Sequence, residues 1–326
     1  MAYIRLLGEA DLRTLGLTHN DVVSAVEHAY RQSARGLAEV PTKIGVHPDH
    51  PNSFSHAMPA WVGGGEPALG VKWISYHPGN LEHKLPDSWG VIVVNDPETG
   101  EPVCFMEGMY ITFLRTAACA AVMAKRLVAQ PQVLGLIGCG GLGKASLAVM
   151  RHVFPSLKQV YVSSKKAESR QAFCAEFDSD SCRVVPVDDV GQLLAESDVV
   201  VTSLPPVDIP PVQAGMLKDH SVFIPLDVDF SWDPAVVGEF NAFYADNVPY
   251  FRALLEKKVG RPNMPDTAIL DTQEFVAEHD GPPRAPQGRV FVAVCGIASV
   301  DIVIAAQAFH RAVRANIGSF FEIRQS

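Results

Sequence analysis

Val133-Leu-Gly-Leu-Ile-Gly-Cys-Gly-Gly-Leu-Gly143 is the stretch that decides the fold. A mostly apolar run of five residues feeds a glycine-rich turn; residues 144–154 continue as a helix, and Val160-Tyr-Val162 supplies a second strand. Strand, turn, helix and strand at about this spacing make a βαβ unit. Gly138, Gly140 and Gly143 fit the pattern G-x-G-x-x-G, which is weak alone and informative in this setting. Glycine permits positive φ and close backbone approach, and a helix N-terminus offers unpaired N–H groups with a partial positive charge. Gly138, Gly140, Gly141, Leu142 and Gly143 are therefore expected to cradle the pyrophosphate of a dinucleotide. The competing reading is a tight strand-to-helix turn without a ligand.

Further along, dinucleotide sites built for a free ribose 2′-hydroxyl carry an acidic residue at the end of the second strand. This chain has Ser163-Ser164-Lys165-Lys166 there. Hydroxyls and cations suit a 2′-phosphate, so NADP(H) is favoured and NAD(H) remains possible. Alternatively, both lysines are solvated residues at a helix start. Residues 199–203 and 221–226 read as further buried strands of a parallel sheet, and Thr202 and Ser203 are assigned to the cofactor site.

The N-terminal part has a different grammar. Thr18-His-Asn-Asp21 before an apolar stripe predicts a capped helix ending near Gly36. Residues 40–65, rich in His, Pro, Gly and Ser, suit loops or edge strands. Residues 69–75 and 90–95 read as strands, with a turn over 95–100 making a hairpin to 102–106. A long buried helix is expected over residues 112–129 and a final helix over 299–315.

Composition narrows the class. A net charge of −9 without a basic run interleaved with aromatics argues against nucleic acid. The N-terminal residues lack an apolar signal region, and no apolar stretch reaches the roughly 20 residues of a membrane span, so a cytoplasmic protein is expected. Six cysteines, Cys104, Cys119, Cys139, Cys174, Cys182 and Cys295, show no CxxC spacing and read as reduced, small buried hydrophobes. No metal site is expected.

Two cations stand out. Lys72 interrupts the apolar strand Leu69-Gly-Val-Lys-Trp-Ile74 and must reach water or an anion. Arg115 lies near the start of a helix that otherwise reads as buried; with Thr112 as its cap, Arg115 falls in the first turn, where a cation is unfavourable unless an anion joins it. A substrate carboxylate gripped by the planar guanidinium would satisfy both. A structural pair with Glu107 or another acid is the alternative.

At these residues the chain resembles the ornithine cyclodeaminase and mu-crystallin family. The resemblance is carried by GVKWISYHPGN, LPDSWGVIVVNDPETGEPV and ITFLRTAACAAVMAKRLV, by LGLIGCGGLG, and by Gly296-Ile-Ala-Ser-Val-Asp301. It implies an α/β fold: a Rossmann-type doubly wound parallel sheet over residues 119–302, plus an α+β substrate-binding and dimerisation domain over 1–118. A C-terminal helix, 303–326, is expected to pack back on the latter, and a homodimer is implied. Lys72 and Arg115 would hold the substrate carboxylate, Lys43 would also face the substrate, and Thr116 would lie beside the cofactor. His56 falls where cyclodeaminases of the family have a glutamate. Where they have a catalytic aspartate after the strand 221–226, this chain has Asp227-Val228-Asp229, with Val228 on that position. Cyclodeaminase chemistry is thereby disfavoured, although Asp227 or Asp229 could approach the nicotinamide, since catalytic groups gather at the carboxyl ends of such strands.

The expectation is an NAD(P)H-dependent oxidoreductase that reduces a small α-imino acid, with a dicarboxylic imine such as iminosuccinate as the specific case, or the reverse dehydrogenation. His56, Lys72, Asp227 and Asp229 are the candidate proton donors. A cyclodeaminase-type lyase with bound NAD and a cofactor-retaining binding protein are the alternatives.

Overall fold

The computed structural model describes residues 2–279 and 287–324, and the chain divides into two compact units, residues 1–115 with 297–326 and residues 116–296. Residues 280–286, most of the Gly- and Pro-rich stretch 281–288 of the sequence, lie outside the described residues.

The first unit begins with β1 (Ala2–Leu7), α1 (Glu9–Thr14) and α2 (His19–Ala34). Thr18 caps α2 in a reciprocal box with Asp21, as its sequence predicts. The chain then runs through β2 (Ala38–Glu39), β3 (Ile44–Val46), β4 (Phe54–Val62), β5 (Ala68–Tyr76), β6 (Ser88–Asn95) and β7 (Pro102–Glu107). The residues expected as loops or edge strands thus include β4, nine residues long and paired with β5 along its whole length. Only its outer side is partly open, between Ala57, bonded to β3, and Trp61, bonded to β2. Pro59 stands in that gap, where a missing N–H is tolerated.

The sheet order is β16-β1-β7-β6-β5-β4-β2, with β3 also on β4. Helix α9 (Ala298–Ala315) lies across β4, β5 and β6 and against α2, and the chain ends in β16 (Ser319–Arg324), antiparallel to β1. The expected helix over 303–326 therefore stops at Ala315; Asn316 turns it off at φ 54°. One register row, Met58, Lys72, Ile92 and Met106, is fully covered. The opposite face carries exposed Trp61, Trp73 and Phe105.

Helix α3 (Met109–Leu127) starts earlier than its sequence suggests. Glu107, not Thr112, caps it, accepting the Met109 and Tyr110 N–H groups at 2.5 and 2.9 Å; the Thr112 hydroxyl donates back to Gly108 O at 2.7 Å. Arg115 thus sits in the second turn, beyond the free N–H groups.

The second unit alternates strands and helices: β8 (Val133–Ile137), α4 (Gly141–Val153), β9 (Gln159–Ser163), α5 (Ala167–Phe177), β10 (Arg183–Pro186), α6 (Val190–Glu196), β11 (Val199–Thr202) and β12 (Val222–Pro225). It continues through β13 (Phe240–Ala245), α7 (Val248–Val259), β14 (Ile269–Asp271), α8 (Thr272–Glu278) and β15 (Arg289–Ala293). All pairs are parallel, in the order β10-β9-β8-β11-β12-β15-β13-β14. Strands buried on both faces explain the continuous apolar runs. Phe223, Phe240, Phe243, Phe251 and Trp232 surround Phe291 in the core. The strand order reverses between β8 and β11, the switch point at which such sheets bind ligands.

Among the described residues no helix is long and apolar enough to cross a membrane, no His, Cys, Asp and Glu group could hold a metal ion, and the six cysteines form no disulfide.

Candidate active site

In the first unit, the strand that places Lys72 in an apolar row also makes it the most completely buried charge of the sheet, with no exposed surface. Its ammonium donates to Asp301 Oδ1 at 2.8 Å, and Arg115 Nε donates to the same oxygen at 3.0 Å. Asp301 is itself fully covered, and its other oxygen, Oδ2, has no hydrogen-bond partner among the described residues. The acid that meets Arg115 is thus Asp301 of α9 rather than Glu107. Burying such charges costs several kcal/mol each, and a shared counter-ion offsets part of that. Burial first, and then the Arg115 charge, bring the Lys72 pKa down to about 8.

His56 occupies β4, paired with Gly45 on one side and Ile74 on the other, two residues from the partner of Lys72 along the same sheet face. Its ring stacks on Phe54 with centroids 4.3 Å apart, and the Phe54 ring lies 5.5 Å from Tyr76. Burial, with Lys43, His47 and Lys72 as neighbouring charges, depresses its pKa to about 4. At neutral pH His56 is uncharged, a flat polar wall rather than a reservoir of protons. Lys43, partly buried just before β3, bears on both His56 and Lys72. Lys43, Lys72, Arg115 and His56 are thus near enough to perturb one another, and the structure adds Asp301 to them. A carboxylate inside the apolar run Ser299-Val-Asp-Ile-Val-Ile304 was the signal that could have found it.

In the second unit, the glycine-rich turn separates into two kinds of position. A Cβ on Gly138, whose φ is 125°, would stand 2.5 Å from Ser203 O, and one on Gly143 would stand 2.1 Å from Gly138 O. Both are demanded by packing. A Cβ on Gly140 would meet nothing within 4 Å, Gly140 and Gly141 are exposed, and the N-cap of α4 has no side chain to satisfy the first N–H groups. That open cradle at a helix N-terminus fits a dinucleotide pyrophosphate. Gly138 N–H donates to Ser163 O and Ser203 N–H to Ile137 O, both at 2.8 Å, so the carboxyl ends of β8, β9 and β11 are joined around the turn. Leu142 lies in the first turn of α4, its carbonyl accepting from Ser146. Ser163 is buried, Ser164 half-buried, and Lys165 is exposed beyond β9. Arg170, which sequence reading passed over, donates to Ser164 O and to Asp188. Its signal was its place one turn after the lysines. Thr116 is buried where the second unit begins.

Asp227 and Asp229 part company. The Asp227 carboxylate accepts the Leu204 N–H at 3.0 Å and the Ser231 hydroxyl at 2.8 Å, while the Thr202 and Ser231 hydroxyls lie 2.7 Å apart. It ties the loop after β11 to the loop after β12, and burial pushes its pKa up. Thr202 is covered in the same network. Asp229 is half-buried, its pKa raised by burial against the opposing charges of Lys258 and Lys257, and its backbone oxygen accepts from Lys258. Between them Val228 adopts φ 63°, the left-handed region, packs its side chain on the core, and accepts the Trp232 indole N–H at 2.9 Å.

Residues 9–223 match the ornithine cyclodeaminase/mu-crystallin family, and the chain belongs to that family. Among its relatives is the nodulation efficiency protein NfeD of Rhizobium meliloti, 29% identical over 321 residues and 98% of both chains. Alanine dehydrogenase of Archaeoglobus fulgidus is 33% identical over 203 residues, 61% of this chain and 60% of that one. The fold is shared with Thermococcus litoralis Delta(1)-pyrroline-2-carboxylate reductase in complex with NADH and L-proline, at a TM-score of 0.86 and 22% identity, covering 97% of this chain and 99% of that one.

Proposed function

We propose that the chain is an NAD(P)H-dependent oxidoreductase acting on C–N bonds, which reduces a small α-imino acid to the amino acid or runs the reverse dehydrogenation. The observation that carries this reading is the buried cluster in which the Lys72 ammonium and the Arg115 guanidinium meet at one carboxylate oxygen, Asp301 Oδ1, with Lys43 bearing on Lys72. Cations gathered in this way suit an anionic substrate. The Archaeoglobus and Thermococcus relatives, named for alanine and pyrroline-2-carboxylate, agree in substrate class.

Arg115 and Lys72 hold the α-carboxylate and so orient the adjacent C=N carbon. The nicotinamide cofactor, when bound at the Gly140 cradle, supplies the hydride. Lys72, protonated at neutral pH with a pKa of about 8, is the group we assign to deliver the proton to the nitrogen. His56, neutral above about pH 4, is not. Asp229 remains the candidate of the 227–229 loop, because Asp227 is committed to Leu204 and Ser231.

Three finer assignments accompany this. With Lys43, three cations gather beside a histidine rather than an acid at position 56, which favours a dicarboxylic imine such as iminosuccinate. Ser164 and Lys165 after β9, with Arg170 of α5 donating to the Ser164 carbonyl, favour NADP(H) over NAD(H). The exposed aromatic face of Trp61, Trp73 and Phe105 supports a homodimer. Val228, where cyclodeaminases of the family carry their aspartate, weighs against the lyase.

The test is NADPH and NADH oxidation with keto acids plus ammonia or methylamine, including oxaloacetate, pyruvate and cyclic imines. Turnover of anionic imines fits the proposal. Ammonia and proline from ornithine without added nicotinamide would instead establish the lyase, and tight NADPH binding with no turnover a binding protein.

A further inference from the structure

We infer that Asp301 is the positioning residue of the anion-binding pair: its buried carboxylate holds the Lys72 ammonium and the Arg115 guanidinium side by side and keeps Lys72 charged where anionic substrates bind. The inference rests on the proposed substrate site only for its catalytic consequence, because the ion triad is a feature of the chain alone.

The argument begins with Lys72. A lysine with no exposed surface, in a row with Met58, Ile92 and Met106, has lost its water and needs a replacement for it. The groups facing it are Asp301 from α9, Arg115 from α3, Lys43 before β3 and, further along the sheet, His56 from β4. Arg115 and Lys43 repel a charge on Lys72, and neutral His56 does nothing to hold one. Asp301 is the single anion in the set, and it uses one oxygen for both cations, at 2.8 and 3.0 Å. Sharing an oxygen brings the two donors to one point, which two separate counter-ions would not do. The α9 helix that carries Asp301 is covered on nearly every side through its first turns, so the carboxylate has a fixed origin. Its Oδ2 oxygen is covered and has no hydrogen-bond partner among the described residues, so the carboxylate meets the two cations through Oδ1.

Removing that charge while keeping its shape separates this role from packing. Asp301→Asn removes the anion in contact with Lys72, so the Lys72 ammonium loses its stabilising neighbour. An opposite charge in contact shifts a titration by about 1–3 units. The Lys72 midpoint should therefore fall from about 8 by at least one unit, and binding of an anion should fade at correspondingly lower pH.

The experiment titrates the full-length chain labelled with 13C,15N-lysine, reading the Lys72 Nζ shift, assigned by its loss in Lys72→Arg. Calorimetric binding of pyrrole-2-carboxylate to the NADPH-loaded protein is measured over the same pH range. The inference expects an acid shift of both profiles in Asp301→Asn and recovery of the lysine midpoint in Asp301→Glu, which restores the charge if the Asn variant folds poorly. An unchanged Lys72 midpoint in a folded Asp301→Asn protein overturns it. Absence of imine turnover by the wild type counts against the proposed reaction and leaves the lysine titration readable.

Discussion

Substituting alanine at Gly140 should separate cofactor binding from folding. Gly140 has φ −77° and ψ −170°, open to any residue, and its Cβ would meet nothing within 4 Å. Alanine is a poorer N-cap than glycine, but it also restricts the unfolded chain, so the two effects, each up to about 1 kcal/mol, oppose one another. The melting temperature should stay within about 3 °C of wild type. The new methyl group, however, occupies the approach to the Gly141 and Leu142 N–H groups. Displacing a single charge-assisted hydrogen bond costs roughly 1.5–3 kcal/mol, which is about a 10- to 150-fold loss of affinity. Gly143→Ala is the internal contrast: its Cβ stands 2.1 Å from the Gly138 carbonyl, backbone must move, and roughly 1–3 kcal/mol of stability should be lost. NADPH fluorescence titration and urea unfolding of both variants make the comparison. A Gly140→Ala protein that binds NADPH as tightly as wild type would refute the cradle assignment.

Three further outcomes are expected. At Val228, φ 63° charges alanine the same left-handed strain as valine and glycine none; Val228→Gly should exceed Val228→Ala in urea stability by about 1–2 kcal/mol, the reverse of their usual order. His56 should titrate near pH 4 by NMR, and because its folded pKa lies below the unfolded value of 6.5, the unfolded chain binds the extra proton between those values. Stability should accordingly rise with pH from about 4 to 6.5, and His56→Phe should flatten that rise. Lys165→Ala should weaken NADPH about tenfold, less at high salt, and leave NADH within about twofold; an equal effect on both cofactors would show that Lys165 does not face the 2′-phosphate.

The sequence by itself determined the βαβ unit, the buried parallel strands, the capped helix α2 and the two anomalous cations, because each is written in neighbouring residues: a period, a cap, or a charge among apolar side chains. It did not reveal β4, whose His, Pro and Ser content hides a strand made acceptable by pairing with β5 and by the gap at Pro59. It also misplaced the start of α3, since Glu107 competes with Thr112 for the cap and only the geometry decides between them. Most of all, the partner of Lys72 and Arg115 lies 229 and 186 residues away along the chain. Tertiary structure alone chose Asp301 over Glu107, turned Asp227 from a candidate acid into a latch between two loops, and put Val228 in a left-handed turn. Ion pairing and loop closure depend on distances through space, which no local pattern records.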